Sequence, residues 1–362
     1  MSRMTTARAA GRPAIGAGLS VVAPQLDEAA AERIAAEHYG LVGRASSLVG
    51  EKDSNFRLAL GDGRLFFLKV LSPGEDPAVS NMHSRALMHV ERTAPELPLP
   101  RIVPALSGCE DFRLTVAPGD VRTVRMTTFS AGRAQSAGAR TPAQSRALGA
   151  LLGRLQAALS GFSHPAAEHE TSWDMAHAGL LRPILETWPD PAERTRLAAV
   201  LGAFAREVEP RLSELPRQVV HNDLNGDNIL VDPDRPDRIS GIIDFGDMVR
   251  TALLFDVAIG AAYQLGTEGD ILAPAAAFLE GYASVSSLSE IEIALLPLAI
   301  QTRMAMRILI PAWRAERFPE RCAYIMRNSR SVWSQFAQLD AVGPTAVAAR
   351  LAAACAVPEE TR

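Results

Sequence analysis

Two carboxylates and an amide recur within a short stretch of this chain. It reads His221-Asn222-Asp223-Leu224-Asn225-Gly226-Asp227-Asn228 and then, 21 residues after Asp223, Asp244-Phe245-Gly246-Asp247. Phosphoryl transfer from a nucleotide to an alcohol needs one carboxylate to orient the attacking hydroxyl. It also needs a carboxylate and an amide oxygen to hold Mg²⁺ against the phosphates. His-x-Asp with an asparagine five beyond the aspartate, followed by Asp-Phe-Gly, meets that need in order and spacing. Asp-Phe-Gly alone is common, and any of these residues could merely cap turns. The two motifs together, flanked by short strands, favour chemistry over caps.

The cations give a second lead. Of 37 basic residues only Lys52 and Lys69 are lysines, and the rest are arginines. Lys69 stands inside the apolar run Leu65-Phe66-Phe67-Leu68-Lys69-Val70-Leu71. A compact ammonium there can do what a planar guanidinium cannot. The alternative is a strand lysine that snorkels its head to water.

These residues need a sheet to hold the lysine and a β island to hold the acids. Short strands are expected at 41–48, 55–60, 64–71 and 121–129, the second and third joined by Gly61-Asp62-Gly63, with one helix over 77–92. After residue 140 the periodicity turns helical. Thr141-Pro142 opens a helix carrying Leu148, Leu151, Leu152, Leu155 and Leu159, and Asp190-Pro191 opens another that runs to about 215. Periodic segments follow at 253–265, 270–283, 288–310, 318–337 and 343–355. An island of strands at 218–220, 228–232 and 239–245 interrupts the helices and carries the acids. The expected organisation is a tail over 1–20, a sheet lobe over 21–130 and a helical lobe over 131–357.

With 362 residues, 48% of them hydrophobic and 22% charged, the chain can bury such lobes and is neither fibrous nor disordered as a whole. Its net charge of −4 argues against nucleic acid as a partner. Residues 1–20 carry three arginines and no acid, without the apolar stretch of a secretory signal. No run of 18 apolar residues suggests a membrane span. Cys109, Cys322 and Cys355 are too scattered for a disulfide framework or a zinc site, so a reducing cytoplasm is the expected compartment.

Four stretches carry a family likeness: Val219-Val220-His221-Asn222-Asp223 with Asn225 and Asn228, Gly241-Ile242-Ile243-Asp244-Phe245-Gly246-Asp247-Met248-Val249, Leu254-Phe255-Asp256-Val257-Ala258, and Val124-Arg125-Met126-Thr127-Thr128-Phe129 with Gly132. With Gly161-Phe162-Ser163-His164-Pro165 and Trp173-Asp174, the chain resembles the aminoglycoside phosphotransferase and choline kinase family over residues 30–355. Within it, the chain is similar to the hydroxylysine kinase-like branch, whose domains also occur fused to class III aminotransferases. The resemblance implies an α+β, protein-kinase-like two-lobe fold: a small antiparallel β lobe with one helix and a larger, mainly helical lobe. ATP (or GTP) and Mg²⁺ are the implied cofactors.

By this likeness Asp223 would orient the acceptor hydroxyl and take its proton, Asn228 and Asp244 would ligate Mg²⁺, and Lys69 would reach the phosphates. The turn from Gly50 to Phe56 would lie over the phosphates, with Ser54 and Asn55 supplying side-chain donors. Thr127, Thr128 and Phe129 would form the hinge that offers backbone groups to adenine. His221 reads as a brace for the loop rather than a proton shuttle. One departure stands out. The helical position where kinase-like folds set a glutamate against the strand lysine is Arg85 here, with Glu75, Glu91 and His83 as the substitutes in view.

Eleven residues separate Asp244 from Asp256, too few for the long loop on which a peptide docks, so a small acceptor is expected. Asp256 reads as a buried cap for the catalytic loop. Asp247 could neutralise an acceptor ammonium and Arg303 could face an acceptor carboxylate, each set against plain solvent exposure. The expected activity is ATP-dependent phosphorylation of the hydroxyl of an amino alcohol such as hydroxylysine or ethanolamine. An aminoglycoside or aminocyclitol phosphotransferase ranks lower, because residues 286–355 carry more arginines than acids. A non-catalytic nucleotide-binding pseudokinase module is set aside because Lys69, Asp223, Asn228 and Asp244 are all present.

Overall fold

The computed structural model describes residues 24–50 and 52–356; the tail expected over 1–20, Glu51 and residue 357 lie outside the described residues. Helix α1 (Glu28–Tyr39) starts where the Asp27 side chain accepts from Ala30 N at 2.7 Å and stops at Gly40, whose φ of 66° suits glycine. Strands β1 (Gly43–Leu48), β2 (Ser54–Leu60) and β3 (Leu65–Val70) follow, then helix α2 (Pro77–Thr93), β4 (Asp111–Ala117) and β5 (Asp120–Thr128). The strands form one antiparallel sheet in the order β1-β2-β3-β5-β4. The expected lobe of antiparallel strands and a helix is therefore present, with α1 and β4 added. Both lack a strong pattern: α1 buries two alanines beside Ile34 and Tyr39, and β4 alternates only between half-buried and exposed.

The period of two along β3 decides what Lys69 does. Phe66, Leu68 and Val70 turn towards α1 and join Phe56, Leu58, Val124 and Met126 in the core of this lobe. Phe67 and Lys69 take the opposite face and line the cleft between the lobes. Lys69 is only 9% exposed, so its head does not snorkel to water. Helix α2 bridges the lobes, because its buried Val79, Met82, Ala86, Leu87 and Val90 belong to the large core of the helical half.

That half comprises β6 (Arg133–Ala134), α3 (Pro142–Ala158), α4 (Arg182–Glu186), α5 (Pro191–Glu207), β7 (Arg217–Val220), β8 (Ile229–Val231), β9 (Ile239–Ile242) and β10 (Val249–Ala252). Helices α6 (Leu253–Gln264), α7 (Ala273–Ala283), α8 (Glu290–Arg317), α9 (Cys322–Ile325), α10 (Val332–Val342) and α11 (Pro344–Ala354) complete it. Helices α3 and α7 pack with backbones nearly touching. A Cβ added at Gly149 would lie 1.8 Å from Phe278 O, and one at Gly281 would lie 1.9 Å from Arg146 O. Helix α8 starts with a Ser289/Glu292 capping box. It is long and apolar enough to cross a membrane by length and composition, but 72% of its most apolar window is buried in the fold, as befits a core helix.

Two expectations need correction. The three strands of the island do not form one sheet: the last two pair as a hairpin, but the first joins neither of them. Instead β7 pairs with β10, while β8 lies between β6 and β9. The segment 318–337 is not one helix either. Phe318 leaves the helical region ahead of Pro319, as steric conflict with a following proline favours, and short turns with α9 lead to α10.

Candidate active site

The two strand pairs bring the acidic loops together. Val220 at the end of β7 faces Val249 on β10, Ile229 on β8 faces Ile242 on β9, and Ile243 N donates to Asn228 O at 2.9 Å. Residues 221–228 and 243–248 therefore lie side by side at one end of the strands. Their bends are strained: Asn222 and Asp244 are the non-glycine residues with positive φ, 64° and 59°, among the described residues. Each bend is held. Asn222 N donates to Asp256 Oδ1 (2.8 Å) and its Nδ2 to Asp247 O (3.1 Å). Asp256 is fully buried, in keeping with its reading as a cap. His221 is also buried; its Nδ1 accepts from Asp223 N and its Nε2 lies 3.1 Å from Ile243 O, a brace across both loops.

Asp223 sits among donors. Asn225 Nδ2 and Asn228 Nδ2 each reach Oδ2 at 2.8 Å, and Arg303 Nη2 reaches Oδ1 at 3.1 Å. Burial pushes the carboxyl above the usual aspartate range, and the charge of Arg303 opposes that shift. Arg303 is thus neither solvent-facing nor directed at an acceptor carboxylate. It is 1% exposed, donates to Trp173 O (3.2 Å) and lies over the Trp173 ring at 4.7 Å. With its nitrogen on Asp223, Asn228 keeps Oδ1 as its donor atom for a cation.

Across the cleft, Lys69 Nζ stands 3.1 Å from Asp53 Oδ2 and 3.5 Å from Asp244 Oδ1. That charge holds Asp244 down at about 2, so this carboxylate, 54% exposed to the cleft, stays ionised. The partner of the strand lysine is therefore Asp53, from the turn between β1 and β2, whose Oδ1 is fixed by Ser72 N at 2.8 Å. None of the helical substitutes takes that place. Arg85 pairs with Glu110, Glu75 pairs with Lys52, and both ring nitrogens of His83 are buried without a hydrogen bond. Sequence reasoning missed Asp53 because it sought an acid on a helix.

The turn over the site is compact: a Cβ at Gly50 would meet Asn55 Nδ2 at 2.5 Å and Asp53 O at 2.8 Å. Asn55 lies opposite Lys69 and lines the cleft. Ser54 does not, which corrects its expected role. The strand period turns it to the other face, where it is 1% exposed and its Oγ accepts from Leu26 N at 3.0 Å. Thr127, Thr128 and Phe129 line the inner, more apolar part of the cleft with Leu48, Leu87 and Phe245. The expected offer of amides to adenine is narrowed there. Thr128 N already donates to Arg101 O (2.8 Å), and Phe129 N to Leu65 O (3.1 Å).

The outer part of the cleft holds Asp223, Asp247, Trp173 and Tyr263, with Arg307 and Arg314 from α8. Enclosure, reinforced by the charges of Asp223 and Asp244, pushes the Asp247 carboxyl up to about 7. These arginines escaped the sequence reading, since a long apolar helix gives no sign of which of its few cations turns inward.

A sequence model of the phosphotransferase enzyme family matches residues 48–291, a span that holds Lys69 and both acidic loops. This chain belongs to that family. It is 26% identical over 353 residues to hydroxylysine kinase of Mus musculus, a match covering 90% of this chain and 92% of that protein. A microcompartment-associated aminopropanol kinase matches with a TM-score of 0.67 at 21% identity, covering 88% of this chain and 99% of the other. An amicoumacin kinase in complex with AMP-PNP, Ca²⁺ and Ami matches with a TM-score of 0.64 at 16% identity, covering 85% and 93%. At such identities these structures establish the fold, the two-lobe kinase-like fold expected from the sequence. In this phosphotransferase no group of three or more His, Cys, Asp or Glu side chains among the described residues could hold a metal by itself. An ionised Asp244 and the Asn228 amide oxygen are the hard, sparse donor set that fits Mg²⁺, which takes one or two protein ligands and completes its shell with phosphates and water.

Proposed function

We propose that the chain transfers the γ-phosphoryl group of ATP to the hydroxyl of a small amino alcohol in the cytoplasm, with Asp223, Asn228, Asp244 and Lys69 as the working residues. The observation that carries this reading is their convergence: an aspartate ringed by donors faces a second, ionised aspartate that shares a cleft with an ion-paired lysine. Asp223 orients the acceptor hydroxyl, and its raised proton affinity suits it to take the proton. Lys69, held by Asp53, meets the phosphates. Asn228 and Asp244 hold Mg²⁺, whose chemistry is to neutralise phosphate charge as the transferring group moves. Gly50 and Asn55 cover the phosphates, while the segment 127–129 borders the adenine.

For the acceptor, Asp247 stands in the same cavity as Asp223 and answers an ammonium a few bonds from the reacting hydroxyl. Arg307 and Arg314 line that cavity too, which disfavours a polycationic aminoglycoside and suits an acceptor that also bears a carboxylate, such as hydroxylysine. The test is a panel of hydroxylysine, ethanolamine, 1-aminopropan-2-ol, aminoglycosides and neutral polyols, assayed for acceptor-dependent ADP release. Amino alcohols should be turned over with the highest kcat/KM. Equal use of neutral polyols would overturn the acceptor assignment.

A further inference from the structure

Four polar side chains make a row in register across the sheet, ending at Asp111 on β4, which stands opposite Arg125. Asn55 on β2 stands opposite Lys69 on β3, and Lys69 stands opposite Arg125 on β5. Neighbours so paired bring their Cβ atoms to about 4.5–5.5 Å, and like charges so placed repel. Arg125 is 6% exposed and Lys69 9%. Among the described residues the Arg125 guanidinium makes one hydrogen bond, a long one from Nη1 to Ser80 O at 3.4 Å, and the residue lines both the inner and the outer parts of the cleft. From the facing wall, α2 presents His83, 2% exposed, lining the same cavity, with neither ring nitrogen bonded. Buried polar groups in folded proteins are nearly always paired, so an unpaired imidazole beside two cations marks a place for an acceptor group. Desolvation and the charges of Arg125 and Lys69 keep this imidazole neutral. A neutral ring can donate one hydrogen bond without adding to the repulsion.

We infer that Arg125 is a second phosphate-binding cation beside Lys69, and that His83 donates to the same phosphates of the nucleotide from α2. Two cations side by side in a cleft are costly when alone and favourable once a polyanion lies across them. Asp53 and Asp244 balance Lys69, while the charge of Asp111, opposite Arg125 on β4, balances the arginine from the neighbouring strand. The displacement of the lysine's partner from the helix to the turn accounts for the histidine: with Asp53 in that role, the helix position facing the cleft is released for a donor.

This inference rests on the kinase reading, and the experiment separates the two. Titration calorimetry compares Mg·ADP with adenosine on the full chain and on Arg125→Met, Arg125→Lys, His83→Phe and His83→Gln. Arg125→Met should weaken ADP by about 10- to 100-fold, the range for a charge-assisted hydrogen bond, and leave adenosine unchanged, with Arg125→Lys recovering part of the loss. His83→Phe should weaken ADP by about 3- to 10-fold, and His83→Gln should regain it. Unchanged ADP affinity in Arg125→Met, or an equal loss of ADP and adenosine, would overturn the inference, the latter by making the arginine structural. Failure of the unaltered protein to bind ADP would overturn the kinase reading and this inference with it.

Discussion

Among the described residues the hydrogen-bond partners of the Asp223 carboxylate are all donors: Asn225, Asn228 and Arg303. An amide in its place must therefore set a donor against donors while losing the proton acceptor. We expect Asp223→Asn to lower kcat by at least about 10²-fold with ADP affinity intact, because the nucleotide is held elsewhere. Parallel loss of both would remove Asp223 from the chemistry. Asp247 gives a pH-dependent outcome. Its carboxyl, lifted to about 7, becomes charged only as pH rises through neutrality. KM for an amine acceptor should accordingly fall between about pH 6 and 8, and Asp247→Asn should raise KM and flatten that profile. Stability runs the other way. The unfolded chain ionises this carboxyl in the ordinary aspartate range, so its burial costs nothing in acid and destabilises progressively up to neutrality. Asp247→Asn should thus raise Tm at pH 8 and do so less at pH 4; an equal gain at both would contradict the burial argument.

Alternation and capping made most elements legible before the coordinates. Thr141 caps α3, Asp190 caps α5, and the run around Lys69 splits into a core face and a cleft face. What stayed hidden was pairing at long range. Nothing local says that β7 meets β10, that Arg303 on α8 reaches a loop eighty residues earlier, or that Asp53 replaces a helical glutamate. Ser54 was misread for a local reason: a turn was assumed where β2 had already begun, and the strand period points it away from the cleft. The α3–α7 contact carries a prediction of its own. With Phe278 O and Arg146 O at the places where a Cβ would go, Gly149→Ala or Gly281→Ala must push the helices apart. Each should cost at least the roughly 1–3 kcal/mol typical of overpacking, read as a lower urea midpoint, with α3 and α7 shifted on each other. An unchanged midpoint would mean that the helices are not so close.

The molecule as a whole is a cleft closed from several directions. The sheet lobe supplies Lys69 and Arg125, the strand pairs supply the acids, α8 supplies Arg303 and Arg307, and Arg321 beyond it reaches over to donate to Gly50 O at 2.8 Å. Removal of divalent cations should abolish ADP release, since two protein cations alone do not offset the charge of the transferring phosphates; activity that survives a chelator would refute the Mg²⁺ assignment. The scarcity of lysine has a practical corollary. Lys52 and Lys69 both line this cleft, so every lysine of these 362 residues belongs to its working surface. An acylating reagent strong enough to reach these lysines would act on the cleft, and coupling the enzyme to a bead or a dye through them would silence it unless nucleotide shielded the cleft. Both ammonium groups are kept protonated by neighbouring carboxylates, so the labelling would be slow at neutral pH and quicken in alkali.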